Sequence, residues 1–238
     1  MLWYKAWLET RTRFLVALFG MLGLCSYSVF HGDKQALSYA RVDYYYSVLH
    51  GSHSLLAVMW IMATTLLMMG GLLREKAVGA SLFTLALPVS RMRLMKARIS
   101  VGLIQSFVLA LVPWGAMFWI AAITGKTHSV SQAVFHLVFL LGGGVVFFSL
   151  ALLVSSIVDG EYTAPIVSYG IVLTIAVALN SQSLRSFNPW DFMLGAVYFD
   201  RATSLLVGPI PWITAASFVA FAAILVVISV KIIQKREF

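Results

Sequence analysis

The sequence predicts an all-α polytopic membrane protein, a single transmembrane domain over residues 1–238, and three observations lead there. Of the 238 residues 61% are hydrophobic. Only 11% are charged, against about a quarter in an ordinary soluble domain. The apolar residues fall in long runs, and about 20 helical residues rise about 30 Å, the thickness of a bilayer's hydrocarbon core. Runs of this length without period-2 alternation predict helices rather than a transmembrane barrel, because backbone polar groups in lipid have to be satisfied internally.

The first 13 residues are helix-compatible. Trp3 and Trp7 are spaced i, i+4, and Glu9 stands four before Arg13, the favourable order for a helical ion pair. Aromatic rings beside basic residues suit a helix lying in the headgroup layer; a plain extension of the first span is the alternative. Six apolar segments follow: Phe14 to Phe30, Ser54 to Leu73, Ile99 to Ile123, Gln132 to Val158, Thr163 to Leu179 and Trp212 to Val230. Leu24 before Cys25 spoils a lipoprotein-type site and no small-x-small cleavage pattern follows, so the first segment reads as a retained span. As the lone cysteine, Cys25 excludes an internal disulfide framework and a cysteine-based metal cluster.

Orientation follows from the flanking cations, since Lys and Arg are retained on the cytoplasmic side. With both termini inside, the cytoplasm receives Lys5, Arg11, Arg13, Arg74, Lys76, Arg91, Arg93, Lys96, Arg98, Lys231, Lys235 and Arg236. The other face receives only Lys34, Arg41, Lys126, Arg185 and Arg201. That bias predicts a multi-pass protein of the cytoplasmic (inner) membrane with both termini cytoplasmic. The sequence pI of about 9.8 has its source here: the cations form no continuous stripe with interleaved aromatics, so no nucleic acid is expected.

Residues 180–211, between the last two spans, hold Phe187, Trp190, Phe192, Tyr198 and Phe199 with few charges. Amphipathic rings prefer the membrane interface, which predicts short semi-buried outer helices, ended by Pro209 and Pro211. Pro113 lies mid-span, as do Gly142, Gly143 and Gly144. Each is a possible hinge, or a site of ordinary close packing between membrane helices.

The most informative stretch is Arg74 to Arg98, REKAVGASLFTLALPVSRMRLMKAR, where the composition changes abruptly. A charged triplet ends the second span, Gly79 breaks the helix, and Ala80 to Leu87 forms a short amphipathic segment that Pro88 terminates. Arg91, Arg93, Lys96 and Arg98 then anchor the next span on an anionic leaflet. The segment either docks a soluble partner or is basic only to set orientation.

Arg74, Glu75, Gly79, Leu87, Pro88, Ser90, Arg91 and Lys96 together resemble the permeases of the ATP-binding cassette (ABC) type-2 transporter family. The resemblance is carried by about 25 residues of motif. The six predicted spans, the N-terminal helix, the apolar outer loop and the short basic tail accord with it. It implies a coupling helix over Ala80 to Leu87 that inserts into a cleft of a separate ABC ATPase subunit. Arg74, Glu75, Gly79, Ser81, Leu82, Phe83, Leu87, Pro88 and Arg91 are then the coupling residues. It also implies a second permease chain, as a homo- or heterodimer, with ATP and Mg bound in the partner subunit and no cofactor in this chain. Asp159 and Glu161, in the loop after the fourth span, either solvate that turn or make a second ATPase contact.

The residues fit a non-catalytic subunit. No G-x-x-x-x-G-K-[ST] loop is present: Gly125, Lys126 and Thr127 lack the earlier glycine, Ile120 standing in its place. No H-E-x-x-H or serine-base pattern occurs within a span, and the acidic residues all fall outside the predicted spans, which speaks against proton- or cation-coupled transport. His31, His50, His53, His128 and His136 are expected at or near the outer face as interfacial hydrogen-bonding groups. His50 and His53 have a three-residue spacing that metal sites use, yet no cysteine or acidic pair accompanies them, so no metal site is expected. Spans without charge suit a hydrophobic or amphipathic cargo. Two other classes stay open: a non-transporting membrane anchor or assembly factor, and a metal or redox membrane subunit using the histidines.

Overall fold

A computed structural model describes residues 2–31, 44–68, 91–124, 130–158, 163–179, 187–195, 198 and 208–235. Seven helices are found there: α1 (Leu2–His31), α2 (Tyr44–Met68), α3 (Arg91–Ile123), α4 (Val130–Ile157), α5 (Thr163–Ala178), α6 (Pro189–Leu194) and α7 (Trp212–Lys235).

Stretches within α1, α3, α4 and α7, namely Leu2–Phe30, Met92–Ile120, Ala133–Ile157 and Trp212–Lys235, are long and apolar enough to cross a membrane. Shorter apolar stretches, His53–Met68 and Thr163–Ala178, lie in α2 and α5. The architecture is that of a helical membrane protein. The helices bury different shares of their apolar surface: 61% of the α4 window is inside the bundle, against 22% for α1 and α7. α4 is therefore the central helix. α1 and α7 present Phe19, Tyr27, Ile213 and Ile224 outward, an apolar periphery that water would penalise and lipid does not.

Side-chain contacts fix the helix directions. Arg13 lies against Leu66 and Gly20 against Met59, so α2 runs antiparallel to α1. Gly102 meets Met68 and Phe148, while Trp114 meets His53 and His136, so α3 opposes both α2 and α4. Ala215 lies against Gly142, and Val219 shares a groove with Val145, which sets α7 along α4. The core between them is filled by Trp60, Phe147, Phe148, Met21, Leu109 and Met117. The start of α1, the end of α2 and the start of α3 thus share one end, here termed the basic end.

Three expectations change. Residues 2–13 are not a separate helix but the first turns of the single helix Leu2–His31, which rises about 45 Å. Its first turns stand beside the start of α3, held by Glu9 and Thr10. The cytoplasmic loop drawn to residue 98 is shorter: residues 91–98 are the first two turns of α3, since Leu94, Met95 and Ala97 give that basic stretch an apolar face, with Met95 and Ala97 buried. Between α5 and α7 the described helix is α6, which packs with Pro189, Asp191, Phe192 and Met193 inside the bundle. Pro209 and Pro211 do not end it. Asn188 caps its start, accepting from the Trp190 N–H at 3.0 Å. Gly195 ends it at φ 66°, a left-handed conformation in which an L side chain would be strained. Pro211 instead precedes α7, its carbonyl accepting from the Ala215 N–H at 3.0 Å.

Candidate functional site

At the basic end, the first turns of α1 are tied to the two helices that bracket residues 69–90. The Glu9 carboxylate accepts from Arg98 Nη2 on α3 at 2.9 Å. Lys5, one turn before, approaches the same carboxylate at 3.9 Å. Gln105 Nε2 donates to Thr10 Oγ1 at 2.8 Å, a second tie between α1 and α3 inside the bundle. Arg13 Nη1 donates to the Leu66 carbonyl at 3.1 Å, near the last turn of α2. The i, i+4 pair expected between Glu9 and Arg13 is thus replaced: Glu9 reaches α3, and Arg13 reaches α2.

These contacts set a frame. α2 and α3 flank residues 69–90 in the chain, and α1 is hydrogen-bonded to both helices near those flanks. Of the predicted coupling residues, Arg91 is the first residue of α3. Arg74, Glu75, Gly79, Ser81, Leu82, Phe83, Leu87 and Pro88 lie outside the described residues, as do Asp159 and Glu161.

The possible hinges are placed. Pro113 is buried within α3, which continues through it. Gly142, Gly143 and Gly144 lie inside an unbroken α4, and each is a point of close approach. A Cβ on Gly143 would stand 2.5 Å from the Pro189 carbonyl oxygen and 3.0 Å from the Met193 nitrogen. One on Gly142 would meet the Phe192 ring at 3.0 Å, and one on Gly144 would run into the Trp60 indole. The triplet is the seat for α6 and for Trp60, whose Nε1–H donates to the Ser106 carbonyl at 2.9 Å. Small residues let membrane helices approach in this way.

Two histidines lie inside the bundle: His53 and His136 are 3% and 1% exposed. Their rings meet edge to face with centroids 4.8 Å apart, and Trp114 closes the cluster at 5.3 and 5.6 Å. His53 Nε2 lies 2.9 Å from the Met193 carbonyl, to which it donates, fastening α2 to α6. The signal was in the spacing: His53 shares a helical stripe with Leu56, Trp60 and Leu67, and His136 with Leu140, Gly143 and Phe147, all buried. A histidine in phase with a buried stripe is a core residue, whatever its distance from a predicted span edge. Among the described residues no group of three or more His, Cys, Asp or Glu is placed to hold a metal ion.

Compared with protein-family models and with curated proteins, the chain matches none of them.

Proposed function

We propose that this chain is a six-span permease subunit of an ABC exporter of the type-2 kind, with both termini and the 69–90 segment on the cytoplasmic side of the inner membrane. Four long apolar helices and two shorter ones support the span count. The cations Lys5, Arg13, Arg93 and Arg98, gathered at one end of the bundle, support the orientation. The observation that carries the reading is the brace: Glu9 to Arg98 and Arg13 to Leu66 tie α1 to both helices flanking the motif of Arg74, Glu75, Gly79, Leu87, Pro88 and Arg91.

Closure of two ATP-loaded partner subunits would carry the Ala80 to Leu87 segment of each permease chain with them. α1, α2 and the start of α3 would then move as a unit. A ligand shifts such an equilibrium only through differential contacts in the two states, so the segment has to touch the ATPase differently with and without nucleotide. A span region lacking charge suits hydrophobic or amphipathic cargo.

The test is affinity purification from native membranes. A soluble ATP-hydrolysing protein is expected to accompany the wild-type chain and to be lost from Glu75→Ala and Leu82→Asp, with chain abundance unchanged. No such companion, or one retained by both variants, overturns the proposal. Cargo-stimulated ATP hydrolysis after reconstitution separates an exporter from a non-transporting anchor.

A further inference from the structure

A groove of about 480 Å³ opens on the side of the bundle between α3, α4 and α7. Leu103, Ile104 and Phe107 form one wall and Val145 and Val219 face them, over a floor that includes Trp60. Leu141 and Gly142 of α4 complete the lining. Ser106 brings the polar character of the lining, and its carbonyl is taken by the Trp60 indole N–H. At the ~30 Å³ that a water-sized group occupies in a liquid, the volume holds about sixteen methylenes, the size of one acyl chain.

Charge identifies what belongs to that chain. Arg93 and Lys96 are both exposed; Lys96 precedes Leu103, Ile104 and Phe107 by seven, eight and eleven residues and Arg93 by ten, eleven and fourteen, so cations and groove wall lie on one side of α3. Lys96 stands about 10 Å above Leu103 along the helix axis. That rise is enough to cross a headgroup layer of about 5–8 Å per leaflet. We infer that this side of α3 and the groove form a binding site for an anionic glycerophospholipid, its phosphate on Arg93 and Lys96 and one acyl chain in the groove. The inference needs the bundle in a bilayer but not the permease reading, and a lipid pool presented equally to both ends keeps orientation out of the test.

Native mass spectrometry of the purified chain, offered equal amounts of phosphatidylglycerol and phosphatidylcholine with identical chains, reads the preference directly. Wild type is expected to retain the anionic lipid preferentially. Arg93→Gln and Lys96→Gln should each cut that preference by about fivefold, the order of one basic residue at an anionic surface. Ile104→Trp should reduce retention of both lipids by filling the groove. Because that variant can fail to fold, a phosphatidylglycerol with a photoreactive acyl chain is applied to wild type, with adducts expected on Leu103, Ile104 or Phe107. Adducts confined elsewhere overturn the site, as does a preference unchanged in both cation variants. Phe107→Cys forming a disulfide-linked dimer in membranes would show a second copy covering the groove, and that too contradicts the lipid assignment.

Discussion

Glu9 and Arg98 meet at 2.9 Å across 89 residues of sequence, joining the first turns of one helix to the first turns of another. Neither helix end is a loose tail. The Arg98 side chain is only 11% exposed and the Glu9 side chain 29%, so the pair is partly shielded and its geometry outweighs a surface contact. Losing one partner leaves the other charge poorly solvated, which is the costly case.

Glu9→Gln should lower stability by about 1–2 kcal/mol, a value kept modest for the solvent that still reaches Glu9. Arg98→Gln should cost at least as much, because the guanidinium is the more buried member. Thermal unfolding in detergent measures both, and the exchange of the two residues in one double variant should recover part of the loss. Additive losses with no recovery would show that the two side chains do not act as a pair.

Gly143→Ala should destabilise by about 1–3 kcal/mol, the usual cost of forcing a methyl into a filled space, because Pro189 and Met193 backbone atoms stand where it would go. Gly170→Ala meets nothing within 4 Å. It should be neutral or stabilising by up to about 1 kcal/mol, the helix-propensity difference between the two residues. Paired thermal melts check the contrast; equal effects at the two sites would disprove the seat for α6.

Two tryptophans separate hydrogen bonding from packing. Trp60→Phe removes the indole donor to the Ser106 carbonyl, which keeps its partner within α3, and should cost about 0.5–1.5 kcal/mol for the lost hydrogen bond, plus lost packing. Trp114 Nε1 is buried with no hydrogen-bond partner among the described residues, so Trp114→Phe should cost packing alone and be the milder of the two. Denaturation of the single variants under identical conditions decides.

His53→Leu strips the Met193 carbonyl of its donor in a buried setting, a loss of about 1–3 kcal/mol. His53→Gln keeps an N–H on that side chain and should fall between wild type and His53→Leu. Limited proteolysis near α6 offers a local readout, with faster cleavage expected in His53→Leu and not in His53→Gln.

The long helices were legible because hydrophobic run length is a strong and local signal: α3 and α7 contain the apolar segments drawn for them, and α4 covers its segment up to Ile157. Where reading failed, long-range partners decided the outcome. Glu9 has a helical neighbour at Arg13, and nothing local says that Arg98 outcompetes it. Residues 91–98 look like a basic loop until Met95 and Ala97 are seen packing inward. α6 carries local signals, Asn188 before Pro189 and Gly195 after Leu194, that mark a helix six residues long. What they cannot show is burial, which depends on three glycines on a different helix. Burial of His53 and His136 follows from their phase with buried stripes, which distance from a span edge does not report. The proposed coupling motif rests on sequence and on the frame around it, since most of its residues lie outside those described.

The central claim places residues 69–90 on the cytoplasmic face as the contact for a separate ATPase. The measurement that tests it most directly is thiol labelling of Leu82→Cys with a membrane-impermeant maleimide, in right-side-out and inverted membrane vesicles carrying Cys25→Ser. Labelling in inverted vesicles, blocked when the ATPase-bound complex is preserved, is the predicted result. Reaction at Leu82→Cys in sealed right-side-out vesicles would put the segment on the exterior and contradict the account.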